Sequence, residues 1–255
     1  VLVNYDRKFY NVVPLDIVGS EVTKPWYLKF GAIYDTDVGV RLSTEVIRTN
    51  FMGNAKQIGL HLAYSSIEEL AEVKYFVPAL FSISDYYIDL TSKVGYREFR
   101  YSGFEEEKGY AQVFFDYNDE KLSVNAGFAV ENISISLFDD YVWVKAVETG
   151  SFLLAGPFLR FAYDDRDSKL DPKYGYYIEG MVECALAYDD EASSYLKYTL
   201  EGRAIYTFSD LTLSAVAKAG SVDQIQNEIP ESKLFFAGGI YSNRAYGYKR
   251  VGVIL

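Results

Sequence analysis

Apolar and polar residues alternate along most of this 255-residue chain. Between residues 176 and 188, Tyr, Ile, Gly, Val, Cys, Leu and Tyr fill one set of alternate positions, and the other set includes Glu179 and Glu183. Residues 195–207 repeat the pattern, with Lys197, Glu201 and Arg203 on the polar side. Because successive side chains of a strand point to opposite faces, the alternation predicts strands with one apolar and one polar face.

The pattern recurs from Leu28 onward with turn residues between the repeats, as expected for consecutive strands. The predicted strands are 28–36, 40–49, 56–65, 69–77, 85–97, 107–118, 121–133, 150–165, 174–189, 193–207 and 210–222. Helical periodicity is confined to 138–148, where we expect a short helix in a surface loop. Pro157 lies inside one predicted strand, and a β-bulge is the expected accommodation. The chain is therefore predicted to be all-β.

Strand length separates the two architectures that share this alternation, a soluble sandwich and a membrane barrel. Several predicted strands have about twelve to sixteen residues, whereas about five or six is usual in soluble proteins. A tilted strand needs about nine to eleven residues to cross a bilayer. Aromatic residues form 17% of the chain and gather at the ends of apolar faces, as Tyr176 and Tyr188 do. Since outer-membrane barrels carry such girdles, we predict a transmembrane antiparallel β-barrel.

The links between strands indicate which side of the membrane each end faces. The turns at 117–121 and 207–210 are tight, whereas the longer links 98–106, 134–149 and 223–255 all follow odd-numbered strands. Outer-membrane barrels have short periplasmic turns and long external loops. The first strand then starts from the periplasm, where we also place residues before it. Eleven strands leave two open edges, which lipid does not tolerate, so we expect further strands after Leu255.

Charge and composition exclude several classes of function. The net charge of −11 argues against nucleic acid as a partner, because binding it needs a basic surface. The single cysteine, Cys184, excludes an internal disulfide, and with the single histidine, His61, it excludes a cysteine- or histidine-rich metal site. We predict that Cys184 faces lipid and that His61 faces the lumen. No nucleophilic triad is indicated, so we expect no enzyme activity, cofactor or bound metal.

A run of aspartates between 164 and 171 invites a calcium site. A calcium loop of the EF-hand type needs Gly at its sixth position and Glu at its twelfth. Counted from Asp165, those positions hold Leu170 and Tyr176. We therefore expect a solvated turn in which Arg166 pairs with an aspartate and Pro172 supports the bend.

Three stretches carry a resemblance to a known family. The first is 34–41, Tyr-Asp-Thr-Asp-Val-Gly-Val-Arg. The second is an acidic-Arg-Asp, Pro, Gly motif formed by Asp165, Arg166, Asp167, Pro172 and Gly175. The third joins an aromatic pair, a Gly pair and an Arg among tyrosines, and its members include Phe236, Gly238, Gly239, Arg244, Tyr246 and Tyr248. Through them the chain resembles the BamA/TamA superfamily of outer-membrane assembly barrels (the bacterial surface antigen family), and its TamA branch most closely.

The resemblance implies a domain organisation. Residues 1–26 would be the end of a periplasmic POTRA domain with its connector. Residues 27–255 would be the N-terminal part of the barrel, about eleven of sixteen strands, including loop six at about 223–255. The second motif would form a periplasmic turn. Arg244 would reach from loop six into the lumen toward acidic residues on later strands, although Asn243 and Ala245 stand where the family has Val and Gly.

The resemblance also implies a function in the outer membrane of a Gram-negative bacterium. The chain would insert β-barrel or autotransporter-type proteins, with strand 28–36 templating an incoming strand at a weak barrel seam. Unfolded outer-membrane proteins, membrane lipid and a TamB-like inner-membrane-anchored protein would be its partners. A BamA core assembly barrel or a two-partner secretion transporter is the alternative within the family.

A passive outer-membrane pore is the alternative from another class. The charged residues of the polar face leave this open, because they would serve either to line a channel or to hold a plug loop in the lumen. The residues concerned are Glu179, Glu183, Lys197, Glu201 and Arg203.

Overall fold

The computed structural model of the chain describes residues 25–36, 38–84, 86–101, 103–137, 149–188, 194–225, 229–237 and 251–253. Within them, eleven antiparallel strands form one sheet in which each strand pairs with its neighbours in sequence. Their bounds are β1 Trp26–Asp35, β2 Gly39–Arg48, β3 Gln57–Tyr64, β4 Glu68–Ile83, β5 Tyr86–Arg100, β6 Phe104–Asn118, β7 Leu122–Leu137, β8 Gly150–Asp164, β9 Tyr174–Ala187, β10 Tyr195–Phe208 and β11 Leu211–Gln224. The predicted all-β fold and its eleven strands are confirmed.

The two faces of the sheet differ as the alternation predicts. The outer face exposes large apolar side chains, such as Val94, Val182 and Leu200. The inner face carries cross-strand ion pairs, such as Lys93 with Glu72 at 3.3 Å. Such a sheet exposes apolar residues to lipid and polar ones to a lumen.

Aromatic pairs mark one end of the outer face. Tyr163 stacks on Tyr176 with ring centroids 5.7 Å apart. Tyr86 and Tyr117 meet edge to face at 5.5 Å. All four lie near the connections that follow the even-numbered strands β4, β6 and β8, and this end is called the turn end below. The opposite end, from which the chain leaves β11, is called the loop end.

The strands at the loop end are longer than predicted. β5 reaches Arg100 and β6 begins at Phe104, so the predicted long link 98–106 is only a short connection. The prediction was wrong because Glu105, Glu106 and Glu107 form an acidic run that resembles a loop. In the strand, Glu106 instead faces inward and is 2% exposed. Loop length alone therefore does not assign the two sides of the sheet.

Two prolines behave differently from each other. β4 continues past Pro78 to Ile83 through an irregularity between Val77 and Phe81, where the Ala79 N–H donates to the Asp89 carboxylate at 2.7 Å. The predicted bulge at Pro157 is wrong. The β8–β9 ladder pauses there and resumes in the same register.

The domain boundary is only partly described. β1 begins at Trp26, which we had assigned to the connector. The predicted POTRA tail within 1–24 and the predicted short helix at 138–148 lie outside the described residues. Among the residues that the structure covers, no helix has both the length and the apolar character needed to cross a membrane.

Candidate functional site

The segment that follows β11 returns to the inner face of the sheet. Residues 229–237 contain a single 3₁₀ turn, Glu231–Lys233, and a short strand β12, Phe235–Ala237. β12 pairs antiparallel with β13, Val251–Val253, and this ladder closes the base of the predicted loop six. Residues 229–237 are called the loop-six base below.

Phe236 is the member of the predicted loop-six motif that the structure describes. Its ring lies 4.9 Å from that of Tyr101 and 6.2 Å from that of Phe104, measured between centroids. It packs with Ile229 against an apolar cluster on the inner face. The cluster consists of Phe99, Tyr101, Phe104, Ile133, Ile135, Phe152, Leu154, Ala185 and Tyr195.

The other predicted members of the motif are not described. Gly238, Gly239, Arg244, Tyr246 and Tyr248 lie outside the described residues. The lumenal role that the resemblance implies for Arg244 therefore stays a prediction.

Lys233 forms the ionic centre of the loop-six base. Its side chain is buried, and its amine pairs with the Glu131 carboxylate of β7 and, at 3.2 Å, with that of Glu183 on β9. The Tyr195 hydroxyl of β10 donates to Glu183 at 2.6 Å. Burial by itself lowers the pKa of Lys233, but the neighbouring carboxylates outweigh it and raise that pKa well above its usual range. Lys233 is therefore charged and ties three strands together.

Lys197 holds the backbone of the same turn. Its amine donates to the carbonyl oxygen of Lys233 at 2.7 Å and lies 4.9 Å from the centre of the Phe235 ring. A cation over an aromatic face is attracted by the ring's quadrupole. Of the lumenal charges predicted either to line a channel or to hold a plug, Glu183 and Lys197 thus hold the loop-six base.

The other lumenal charges pair along the wall. Glu201 bridges Arg203 at 2.5 Å and Lys218 at 2.8 Å. Glu179 accepts a hydrogen bond from the Tyr177 hydroxyl at 2.6 Å. These contacts order the inner face toward the turn end.

The second predicted motif lies at the turn end, between β8 and β9. The Arg166 guanidinium donates to both carboxylate oxygens of Asp164 at 2.7 and 2.8 Å and lies 5.1 Å from the centre of the Tyr177 ring. The expected Arg–Asp pair is therefore present. Lys121, in the turn before β7, reaches across to Asp165 at 2.5 Å.

Asp167 and Gly175 shape the connection to β9. The Asp167 carboxylate accepts hydrogen bonds from the backbone N–H groups of Lys173 and Tyr174, and both lower the pKa of Asp167. Gly175 has a φ of +112°, and a Cβ there would lie 2.7 Å from the Arg166 Cα. Only glycine tolerates this position without strain. Pro172 lies in the same turn.

The aspartates of this turn are occupied by the protein's own donors. Asp164 binds Arg166, Asp165 binds Lys121, Asp167 binds backbone N–H groups, and Asp171 lies 3.3 Å from the Lys173 amine. Each of these carboxylates thus has a donor from the protein itself. The arrangement is that of a structural turn.

The two single residues of chemical interest lie on the faces expected of them. His61 of β3 pairs in register with Glu45 and Glu72, which lie on the inner face. Cys184 is opposite Leu196 on the outer face.

Lys233 and Glu131 were not among the predicted site residues. The run Glu-Ser-Lys before the Phe pair has the composition of a solvated loop, and no local pattern marks its lysine as buried. Glu131 lies 102 positions away in the chain. The sequence offers one signal, in the run Glu-Asn-Ile-Ser-Ile. Glu131 there shares a strand face with Ile133 and Ile135, so it is a carboxylate on a face that is apolar toward the loop end.

Comparisons with known proteins agree with this architecture. No curated protein matches the chain. Among solved structures, BamA from Haemophilus ducreyi lacking POTRA domains 1–3 is similar, with a TM-score of 0.74 and 14% sequence identity. The match covers 88% of this chain and 46% of that one, so this chain spans less than half the length of the solved protein. The Omp85 superfamily domain matches residues 50–254. The chain therefore belongs to the Omp85 superfamily.

Proposed function

We propose that this chain forms part of the barrel of an outer-membrane assembly factor that inserts β-barrel or autotransporter-type proteins. Insertion proceeds by pairing of an incoming strand with β1 at a barrel seam. Membership of the Omp85 superfamily supports this proposal, since it implies the outer membrane of a Gram-negative bacterium as the location and protein assembly or translocation as the general activity.

The short pairing of β1 with β2 is the observation that carries the proposal. β1 pairs with β2 through ten residue pairs, whereas β11, at the other edge of the described sheet, pairs with β10 through fourteen. Large side chains are exposed on both faces of β1, with Phe30 at 78% on one and Ile33 at 65% on the other. The backbone groups on the other side of β1 are a template for a further strand.

The strands nearest this edge are the shortest in the sheet. β1, β2 and β3 have ten, ten and eight residues, whereas β4 to β11 have fourteen to sixteen. About nine to eleven residues are needed to cross a bilayer. The pairing at this edge is therefore short, and the cross-strand ion pair of Lys29 with Glu45 is exposed and of small energetic value. Weak pairing is what a seam that opens requires.

The finer assignment is part of the proposal. The motifs at 165–175 and 235–248 favour the TamA branch, with unfolded outer-membrane proteins as substrates and a TamB-like inner-membrane-anchored protein as partner. A BamA-type core barrel would share the β1 mechanism.

Site-directed cross-linking tests the proposal. Phe30→Cys places a thiol on β1, and the matched control Val94→Cys places one on β5, which has a neighbour on each side. A substrate barrel stalled during assembly, with cysteines along its terminal strand, should form a disulfide with the β1 thiol and not with the β5 thiol. Equal cross-linking at the two positions, or none at β1 while assembly proceeds, would contradict templating by β1.

A further inference from the structure

We propose that Lys233 is an ionic latch that keeps the loop-six base inside the lumen and so holds the loop end of the barrel closed to ions. The latch consists of the Lys233 amine, the carboxylates of Glu131 and Glu183, and the Lys197 amine on the Lys233 carbonyl oxygen. It is a property of the lumen and does not depend on the proposed assembly activity.

The latch contacts three strands of the barrel wall. Glu131 is on β7, Glu183 on β9 and Lys197 on β10, so the short 3₁₀ turn touches three strands. Lys108 of β6 lies 3.8 Å from the second oxygen of Glu131. Glu131 therefore pairs with both Lys108 and Lys233, and Glu183 pairs with Lys233.

The space on either side of the latch shows what it separates. Toward the loop end, Phe236 and the apolar cluster fill the inner face, where Phe99, Ile133 and Tyr195 are almost fully buried. Toward the turn end lies a polar cavity of about 170 Å³ whose lining includes Lys93 and Arg160. Glu131 and Glu183 line that cavity as well, so the latch lies where the polar lumen meets the apolar cluster.

Because the charges of the latch are buried, the loss of one of them should strongly destabilise the docked loop-six base. Removing one partner of a buried ion pair is far more disruptive than replacing the whole group, because the remaining charge has no compensation. In Lys233→Met, Glu131 and Glu183 face each other without the shared cation. We expect the ratio of closed to open states to fall by at least about a hundredfold.

The control lies in the same 3₁₀ turn. The buried hydroxyl of Ser232 has no hydrogen-bond partner among the described residues. Ser232→Ala therefore perturbs the turn without removing a contact of the latch. The conservative exchange Lys233→Arg keeps a cation beside both carboxylates.

The experiment measures ion conductance of the full protein in planar lipid bilayers without substrate. Lys233→Met should conduct far more often than the unmodified protein, whereas Ser232→Ala and Lys233→Arg should match the unmodified protein. Folding is checked by the heat-dependent shift in electrophoretic mobility. If Lys233→Met fails to fold, Glu183→Gln carries the test, because it removes one charge and keeps a partner for Tyr195. Unchanged conductance in the folded charge-removing variant would overturn the latch.

Discussion

The β8–β9 ladder is interrupted at Gly156, and we expect substitution of this glycine to destabilise the barrel wall. The ladder pairs Ala155 with Leu186, omits Gly156 and Pro157, and resumes at Phe158 with Glu183. A Cβ added to Gly156 would overlap the carbonyl oxygen of Cys184, and it would lie 2.8 Å from the carbon of that carbonyl. The atoms in conflict belong to the backbone, so no side-chain rotation relieves them. Gly156→Ala must therefore push β9 away from β8.

The cost follows from the hydrogen bonds on each side of the pause. Separation of the strands weakens about three main-chain hydrogen bonds, and each contributes a net ~1 kcal/mol in an aqueous setting. Inside a membrane an unpaired backbone group costs more, since no water replaces the partner. We therefore expect Gly156→Ala to lower the free energy of unfolding by at least about 3 kcal/mol.

Urea unfolding in lipid vesicles, followed by tryptophan fluorescence, measures this change. Gly109→Ala on β6 is the matched control, because no atom lies within 4 Å of a Cβ added there. An alanine that fits without strain leaves stability unchanged or raises it by up to about 1 kcal/mol. If the two variants unfold within about 0.5 kcal/mol of each other, the close approach of β8 and β9 is not what fixes glycine at 156.

Two further substitutions probe the two motifs. Arg166→Met should lower stability by about 1–3 kcal/mol, because it leaves the largely buried Asp164 carboxylate without its bidentate donor, and urea unfolding reports the loss. Phe236→Ala should cost about 2 kcal/mol, less than the 3–5 kcal/mol of a fully buried ring, because Phe236 is half-buried. Limited proteolysis of the loop-six base should accelerate in Phe236→Ala.

Two exposed residues of the β8–β9 turn provide the controls for these two variants. Lys173→Met breaks an exposed pair with Asp171 and should leave stability unchanged. Leu170→Ala removes a side chain that is 98% exposed. A loss in either control as large as that in its partner variant would show that the effects arise from general destabilisation of the turn end or of the sheet.

The strands could be predicted because alternation is strict wherever the two faces meet different surroundings. β9 was expected at 174–189 and spans Tyr174–Ala187. The signal fails where consecutive residues are chemically alike, as in Glu105 to Glu107, since alternation needs contrast. It also fails at Pro78, where the Asp89 side chain supplies a hydrogen bond that the regular ladder lacks.

The missing bulge at Pro157 has a different physical origin. A proline in a ladder has no N–H to donate, and an inserted residue is the usual adjustment. Here Gly156 lets the β9 backbone approach so closely that the ladder simply omits two residues without a change of register. A Gly-Pro pair in a strand therefore predicts a pause as reasonably as it predicts a bulge.

The candidate site was only partly visible in the sequence because its contacts are between distant residues. Phe236 could be singled out as part of a motif, and Arg166 by its neighbouring aspartates. Lys233 resembles any solvated lysine until the fold brings Glu131 and Glu183 to it. Polar residues on an inner face indicate that something is held there, but not which loop residue is held.

The anchored base changes what loss of Arg244 should do. The β12–β13 ladder, the Lys233 latch and the Phe236 contacts already fix both ends of 238–250, so any docking of that segment closes a short loop at low entropic cost. If Arg244 has the lumenal role that the resemblance implies, Arg244→Ala should impair assembly while leaving the barrel in the membrane and the base resistant to protease. Lys233→Met should expose the base. Normal assembly in Arg244→Ala would assign the anchoring of loop six to its base alone.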